Sequence, residues 1–365
     1  MKTVISILLL FVCSIAFSQK QMNEDLRKYY SHTNKAEINI IEKNYQQAMV
    51  EYEKAFASWG EPFAVDYYNA AVCGVFCDKF DKTKYYLEKV LTLGYSFSNV
   101  KKEKIFRPFF KSKFGKSLEK EKPIMKIQDE EYREIIQNLY HYDQVIRQKY
   151  DYVSNKTYEK YFVRQQYIID SLNLAVFEML IKERGFPSES KIGVDSESLN
   201  FPAYDILLDH SIMLQHRKPE LRFLKSFPNL MPYIEIALYD GSINNKIAFK
   251  HFNFFAEETK YSKLYNSYVL SKIIYQKDGK YNVSADVTNA KWRKYIIDKE
   301  TELKNDSILE TLGMDKIENI QRKTLFSEKD KTGFIFDQYC GKEVIFLDDS
   351  IIYKNLIKMT TPVEQ

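Results

Sequence analysis

The sequence predicts a mainly α-helical chain, with helical hairpins at the front and then a predominantly helical region with one or two small β-hairpins. Three observations predict it. Two segments 35 residues apart repeat one apolar pattern. Apolar residues recur every three to four positions over 129–150 and 161–184, the period of a helix with one buried face. Short β-prone runs pair across a glycine turn in two places, which is too little for a large sheet.

The chain opens with Met1-Lys2-Thr3 and an uncharged apolar run from Val4 to Phe17, closed by Ala16-Phe17-Ser18. A cation, a short apolar core and small residues where a signal peptidase reads make the layout of a secretory signal. The run is shorter than the roughly 20 residues of a membrane span. Cleavage is expected after Ser18, leaving Gln19 first and placing the protein in the periplasm or outside the cell. Cys13 follows Val12, where lipid attachment would need a small residue. No later run is apolar and long enough to span a bilayer, so the mature chain is expected to hold no integral membrane segment.

Losing residues 1–18 removes Lys2 and no acid, so the formal charge falls from +4 to +3. That near-neutral balance does not call for a nucleic-acid partner, which needs a clustered basic face. The 45% apolar content supports packed cores rather than disorder. The 15% aromatic content comes with abundant Lys, Asn and Ile and sits at core spacings, so it reads as composition rather than a sugar-binding surface. Cys73, Cys77 and Cys340 remain after cleavage. An odd count argues against a disulfide framework. Cys73 and Cys77 are four apart within a helix and read as small buried residues, with no histidine nearby in sequence to complete a zinc pattern.

Residues 45–57 and 80–92 align at the 35-residue offset. Tyr45 falls on Phe80, Ala48 on Thr83, Tyr52 on Leu87 and Ala55 on Val90. Upstream, Ala36 and Ala71 fall where the first helix of each hairpin must be small, and Gly60-Glu61-Pro62 breaks the chain between units. The pattern resembles the tetratricopeptide family, over about residues 29–118 once a capping segment is included. That resemblance implies antiparallel helical hairpins and a surface for a protein or peptide partner. Two units are too few for a stable array, so Phe106, Phe109, Phe110, Phe114 and Leu118 are expected to form the cap over 105–118. Lys101–Lys126 carries ten Lys or Arg against three Glu. It could serve an anionic membrane surface, but a cap with a solvated basic face is the simpler expectation.

A boundary is expected at 119–123, giving a repeat region over 19–122, a helical region over 123–325 and a C-terminal β-hairpin extension over 326–365. In the second region helices are expected over 129–150 and 161–184, the latter stopped by Gly185. An irregular stretch follows over 186–201, of a length that is often functional. Pro202 opens a helix to about Arg217. Further helices are expected near 219–226, 230–240, 245–258, 289–303, 305–312 and 315–324. Strands are expected at Tyr268–Tyr275 and Lys280–Ser284 around Asp278-Gly279, and at Gly333–Tyr339 and Glu343–Leu347 around Gly341.

Four polar residues interrupt apolar stripes. Asp143 lies between Leu139 and Ile146, with Gln144 beside it and Arg147 one turn on, while His210 shares a stripe with Ala203 and Ile206. Burying either Asp143 or His210 alone is costly, so the two are expected to meet. They could form a pocket in which Asp143 orients His210 for acid–base work and Arg147 holds an anion. The commoner arrangement is a buried structural network. The order Asp143-Gln144-x-x-Arg147, Gly185-Phe186-Pro187, Gly193, His210 and Leu312-Gly313, over about 130–325, is similar to a bacterial domain of unknown function that follows tetratricopeptide repeats in exported proteins. That resemblance implies no particular reaction.

The sequence holds no Gly-rich phosphate loop, His-Glu-x-x-His helix or Gly-x-Ser-x-Gly elbow, and no cofactor or metal is expected. The reading favoured from sequence is an exported protein-binding or scaffolding protein whose partner is another envelope protein or a peptide. The alternative is an envelope enzyme, such as a hydrolase, with a site at Asp143, Arg147 and His210.

Overall fold

The computed structural model describes residues 21–148, 152–215, 230–254, 264, 269–275, 290–336, 342–347 and 349–363. The signal segment, the helix near 219–226, the second arm of the Asp278-Gly279 hairpin, the Gly341 turn, His216 and Cys340 lie outside them. Among the described residues no helix is long and apolar enough to cross a membrane.

The chain is mainly α. The first hairpin pairs α1 (Glu24–Ile41) with α2 (Tyr45–Ser58), and the second pairs α3 (Ala64–Phe76) with α4 (Phe80–Thr92). The 35-residue offset holds in detail. Ala36 and Ala71, Ala48 and Thr83, Tyr52 and Leu87, Ala55 and Val90 are all 0% exposed. The turn residues Lys43 and Asp78, also 35 apart, both have positive φ, 62° and 54°. Cys73 is buried and Cys77 half-buried, both free thiols.

The cap is broken rather than one helix. It consists of α5 (Phe97–Lys102), a 3-10 turn (Lys104–Phe106), α6 (Arg107–Lys111) and α7 (Lys113–Glu121). Ser112 is extended and accepts from the Gly115 amide, so it ends one helix and caps the next. A Cβ on Gly115 would sit 2.3 Å from the Phe109 carbonyl oxygen, so the bend closes only on glycine. Phe106 packs edge-on to Tyr68 at 5.5 Å, and Phe109 to Phe80 at 6.1 Å.

Next come α8 (Glu130–Arg147), α9 (Asn155–Tyr161), α10 (Val163–Arg184), α11 (Glu189–Ile192), α12 (Pro202–Gln215), α13 (Met231–Asp240) and α14 (Asn245–Phe254). Asp129 caps α8 by accepting from the Tyr132 amide, and α10 stops at Gly185 with φ 76°. The irregular 186–201 stretch binds the two halves together. Glu189 accepts from the Ala64 amide at the start of α3 at 2.7 Å, and Val194 N donates to Leu93 O at 2.7 Å.

The remaining elements are β1 (Leu270–Tyr275), β2 (Trp292–Tyr295), α15 (Lys299–Thr311), α16 (Ile317–Lys329), β3 (Lys342–Leu347), α17 (Ser350–Met359) and β4 (Thr360–Pro362). They correct three expectations. Residues 292–295 form a strand, because Trp292 is buried in the sheet and β2 pairs antiparallel with both β1 and β4. The helix after it is one piece, capped by Asp298, which accepts from the Thr301 amide. Among the described residues the expected C-terminal hairpin does not form: β3 pairs in parallel with β1, giving the order β3-β1-β2-β4, and α17 lies within the extension, capped by Asp349.

Residues 333–336, the described part of the first arm of that expected hairpin, form instead a strap on the helical hairpins. Asn69 Nδ2 donates to Ile335 O at 2.8 Å, and Ile335 N donates to Asn69 Oδ1 at 2.9 Å. Phe334 stacks on Tyr45 and Phe76, each at 5.7 Å. A side-chain amide thus satisfies the backbone that a neighbouring strand would have satisfied. The inner side of α1 is also covered. Glu37 pairs with Lys246 of α14 and with Lys323 of α16, the latter at 2.6 Å, and Leu26, Tyr29 and Tyr30 join the core formed by α8, α10 and α12–α16.

Candidate functional site

The expected residues meet. α8, α10 and α12 pack together, and they bring Asp143, Gln144, Arg147, Asp170 and His210 to one point. Asp143 is fully buried and both of its carboxylate oxygens are engaged. Its Oδ1 lies 2.7 Å from His210 Nδ1 and 2.5 Å from Arg147 Nη1, and its Oδ2 accepts from Gln144 Nε2 at 2.5 Å. Burial works to raise the Asp143 pKa, but the hydrogen bond and charge of His210 and the charge of Arg147 hold it below the usual carboxylate value. Asp143 is therefore a carboxylate that fixes the ring. His210 is 17% exposed, and its Nε2 has no bonding partner among the described residues.

Arg147 does something other than expected. Its Nη2 donates to both oxygens of Asp170 at 2.9 Å, and its Nη1 donates to the Asp143 carboxylate and carbonyl. The anion it holds is the protein's own Asp170, a bidentate pairing that suits a planar guanidinium. Burial, only partly offset by Arg147, pushes the Asp170 pKa up to about 6.

A second cluster lies on the same helix and was missed from sequence. His251 Nε2 is 2.8 Å from Asp205 Oδ1, and Nδ1 is 3.3 Å from Asp209. Lys250 Nζ is 2.9 Å from both carboxylates. The ring is completely enclosed. Burial works to lower the His251 pKa, but bonds and charge from Asp205 and Asp209 hold it above the ordinary value. The readable signal was the pair Asp205 and Asp209, four apart on one helix face, with Lys250-His251 as the complementary cations.

Two trios have ligand-type atoms within 4.8 Å of one another, Asp143/Asp170/His210 and Asp205/Asp209/His251. Neither fits a metal well. Arg147 bridges the carboxylates of the first and Lys250 those of the second, so a fixed cation already stands where an ion would go. The two histidines differ in access: the His210 side chain is 17% exposed, whereas the His251 ring is fully enclosed and only Asp209 of its cluster, 28% exposed, meets solvent appreciably.

In comparisons with known proteins, no family model, no curated protein and no solved structure matches this chain.

Proposed function

We propose that the functional centre is the Asp143–His210 dyad, working in acid–base chemistry on a ligand that reaches His210 Nε2, in a protein exported from the cytoplasm. One observation supports this most: a fully buried carboxylate holds Nδ1 of a ring that is itself partly exposed. A buried carboxylate on Nδ1 orients the imidazole and stabilises its protonated form, while the outward nitrogen takes or gives the proton. Gln144 and Arg147 hold the carboxylate in place rather than touching a ligand. The reaction class that suits such a dyad is hydrolysis or another proton transfer at an oxygen, as in the envelope-hydrolase alternative. The tetratricopeptide-like hairpins act on this reading as a cradle for the second half of the chain. A scaffolding role would draw on other surfaces, since the strap and α14–α16 lie along their inner side.

The test is a panel of chromogenic esters, phosphoesters and glycosides against the mature chain beginning at Gln19, with His210→Gln alongside. Turnover of one class, reduced at least about 100-fold by the substitution with the melting temperature unchanged, is the expected result. A large fall in stability, with no substrate or ligand distinguishing the two proteins, would give the dyad an architectural role.

A further inference from the structure

The cap over α5–α7 has two sides with opposite chemistry. Its inner side is accounted for: Val100, Phe106, Phe109 and Leu118 are all 0% exposed against the second hairpin. Capping explains those residues and the half-buried Phe97, Ile105, Phe110 and Phe114, but not the cations around them. The outer side carries ten basic residues over 101–126 against three glutamates, in a chain whose whole formal charge is only +4, so the rest of the molecule is net acidic. All ten are exposed. Two of the three acids are already committed, Glu119 to Lys101 and Glu121 to Lys84. Lys104, Arg107, Lys111, Lys116, Lys120 and Lys122 have no ion-pair partner among the described residues. The largely buried cations Lys246, Lys250 and Lys323, by contrast, are each ion-paired.

An apolar group lies within this field. Lys122 turns the chain out of α7 in the left-handed region, and beyond it exposure alternates: Lys122, Ile124 and Lys126 are exposed while Pro123 and Met125 are half-buried. Ile124 is 80% exposed, among the most exposed large apolar side chains described.

We propose that this outer side is a docking surface for an anionic lipid bilayer, with the basic residues against the headgroups and Ile124 in the interfacial layer. Cations near an anionic bilayer each raise partitioning by roughly fivefold, and a buried apolar side chain adds to that. The pairing of unpaired cations with an exposed aliphatic chain favours a bilayer over a polyanion, which has no apolar layer for Ile124. This surface is separate from the Asp143–His210 dyad and does not depend on it.

Co-sedimentation of the mature full-length chain with vesicles tests the proposal. Vesicles of phosphatidylcholine alone are compared with vesicles containing about one-third phosphatidylglycerol, at low and at high salt. Binding to the anionic vesicles at low salt is expected, at least tenfold weaker on neutral vesicles and weaker at high salt. Lys104→Glu with Arg107→Glu and Lys111→Glu should abolish it, and Ile124→Asp should weaken it at fixed salt. Circular dichroism checks the fold, and Lys104→Gln with Arg107→Gln and Lys111→Gln serves if charge reversal disturbs it. Equal binding by wild type and both charge variants overturns the proposal. So does failure to bind anionic vesicles, and so does binding to a soluble polyanion such as heparin without binding to vesicles.

Discussion

Asp66 is a fully buried carboxyl on α3, accepting a hydrogen bond from the Tyr29 hydroxyl. Burial pushes its pKa up to about 6. A folded pKa above the unfolded value means that the group favours the native state when protonated. Its contribution is fully present below about pH 4 and is lost as pH rises through about 6. At neutral pH the ionised group is therefore a liability. Asp66→Asn keeps an acceptor for Tyr29 and removes the charge. Urea unfolding at pH 7.5 should show the variant more stable by about 1–3 kcal/mol, with the difference shrinking toward pH 4. A loss of stability at pH 7.5 would mean that the charge is compensated in a way these contacts do not reveal.

At the scale of elements, α12 is the joint of the second half. One of its faces gives His210 to Asp143, and another gives Asp205 and Asp209 to Lys250 and His251 of α14. The His251 pKa is held above its ordinary value, so its protonated ring stabilises the fold below about pH 6.5, and that support is lost as pH rises through the folded pKa. Wild-type stability should decline above about pH 6.5, and His251→Gln should flatten that part of the profile in urea titrations across pH 6–9. A slope identical in both proteins would place the buried proton elsewhere. In the hairpins, Ala48 is 0% exposed within α2. Ala48→Leu should cost about 1–3 kcal/mol of unfolding free energy by overpacking, whereas unchanged stability would contradict the repeat register.

The same elements show what sequence could give. The hairpins, α8, α10 and α12 were legible because each buries one face at helical spacing. Asp143, Gln144, Arg147 and His210 were legible because polar residues on an apolar stripe need partners. Asp170 was not, since α10 mixes polar and apolar residues around its circumference, and its partner Arg147 already had Asp143 on its own helix. Strand β2 was read as helix because four residues of Trp-Arg-Lys-Tyr become a strand only when β1 and β4 supply hydrogen bonds from 20 or more residues away. The strap was read as a strand because Phe-Ile-Phe has that composition, while its actual partner is an amide 266 residues away in sequence.

For the whole molecule, the halves are tied at charged and polar points as well as by apolar packing. Burial would raise the Glu37 pKa, but Lys246 and Lys323 hold it down at about 2. Asn69 is fully buried, with its amide spent on Ile335. Asn69→Ala should leave both Ile335 backbone groups unmet and cost about 1–3 kcal/mol. Hydrogen exchange at the Ile335 amide should accelerate well beyond that of amides in α3. Equal protection in the two proteins would show that Phe334 and Phe336 hold the strap unaided.

The central claim is that Asp143 fixes His210 with Nε2 turned outward, and the imidazole tautomer tests it most directly. If Nδ1–H donates to Asp143, nitrogen NMR of the neutral ring should show the proton on Nδ1 and a bare Nε2 that responds to added ligands. A proton on Nε2, or a ring whose nitrogen signals are unmoved by any ligand in the panel while His210→Gln unfolds the protein, would contradict the account.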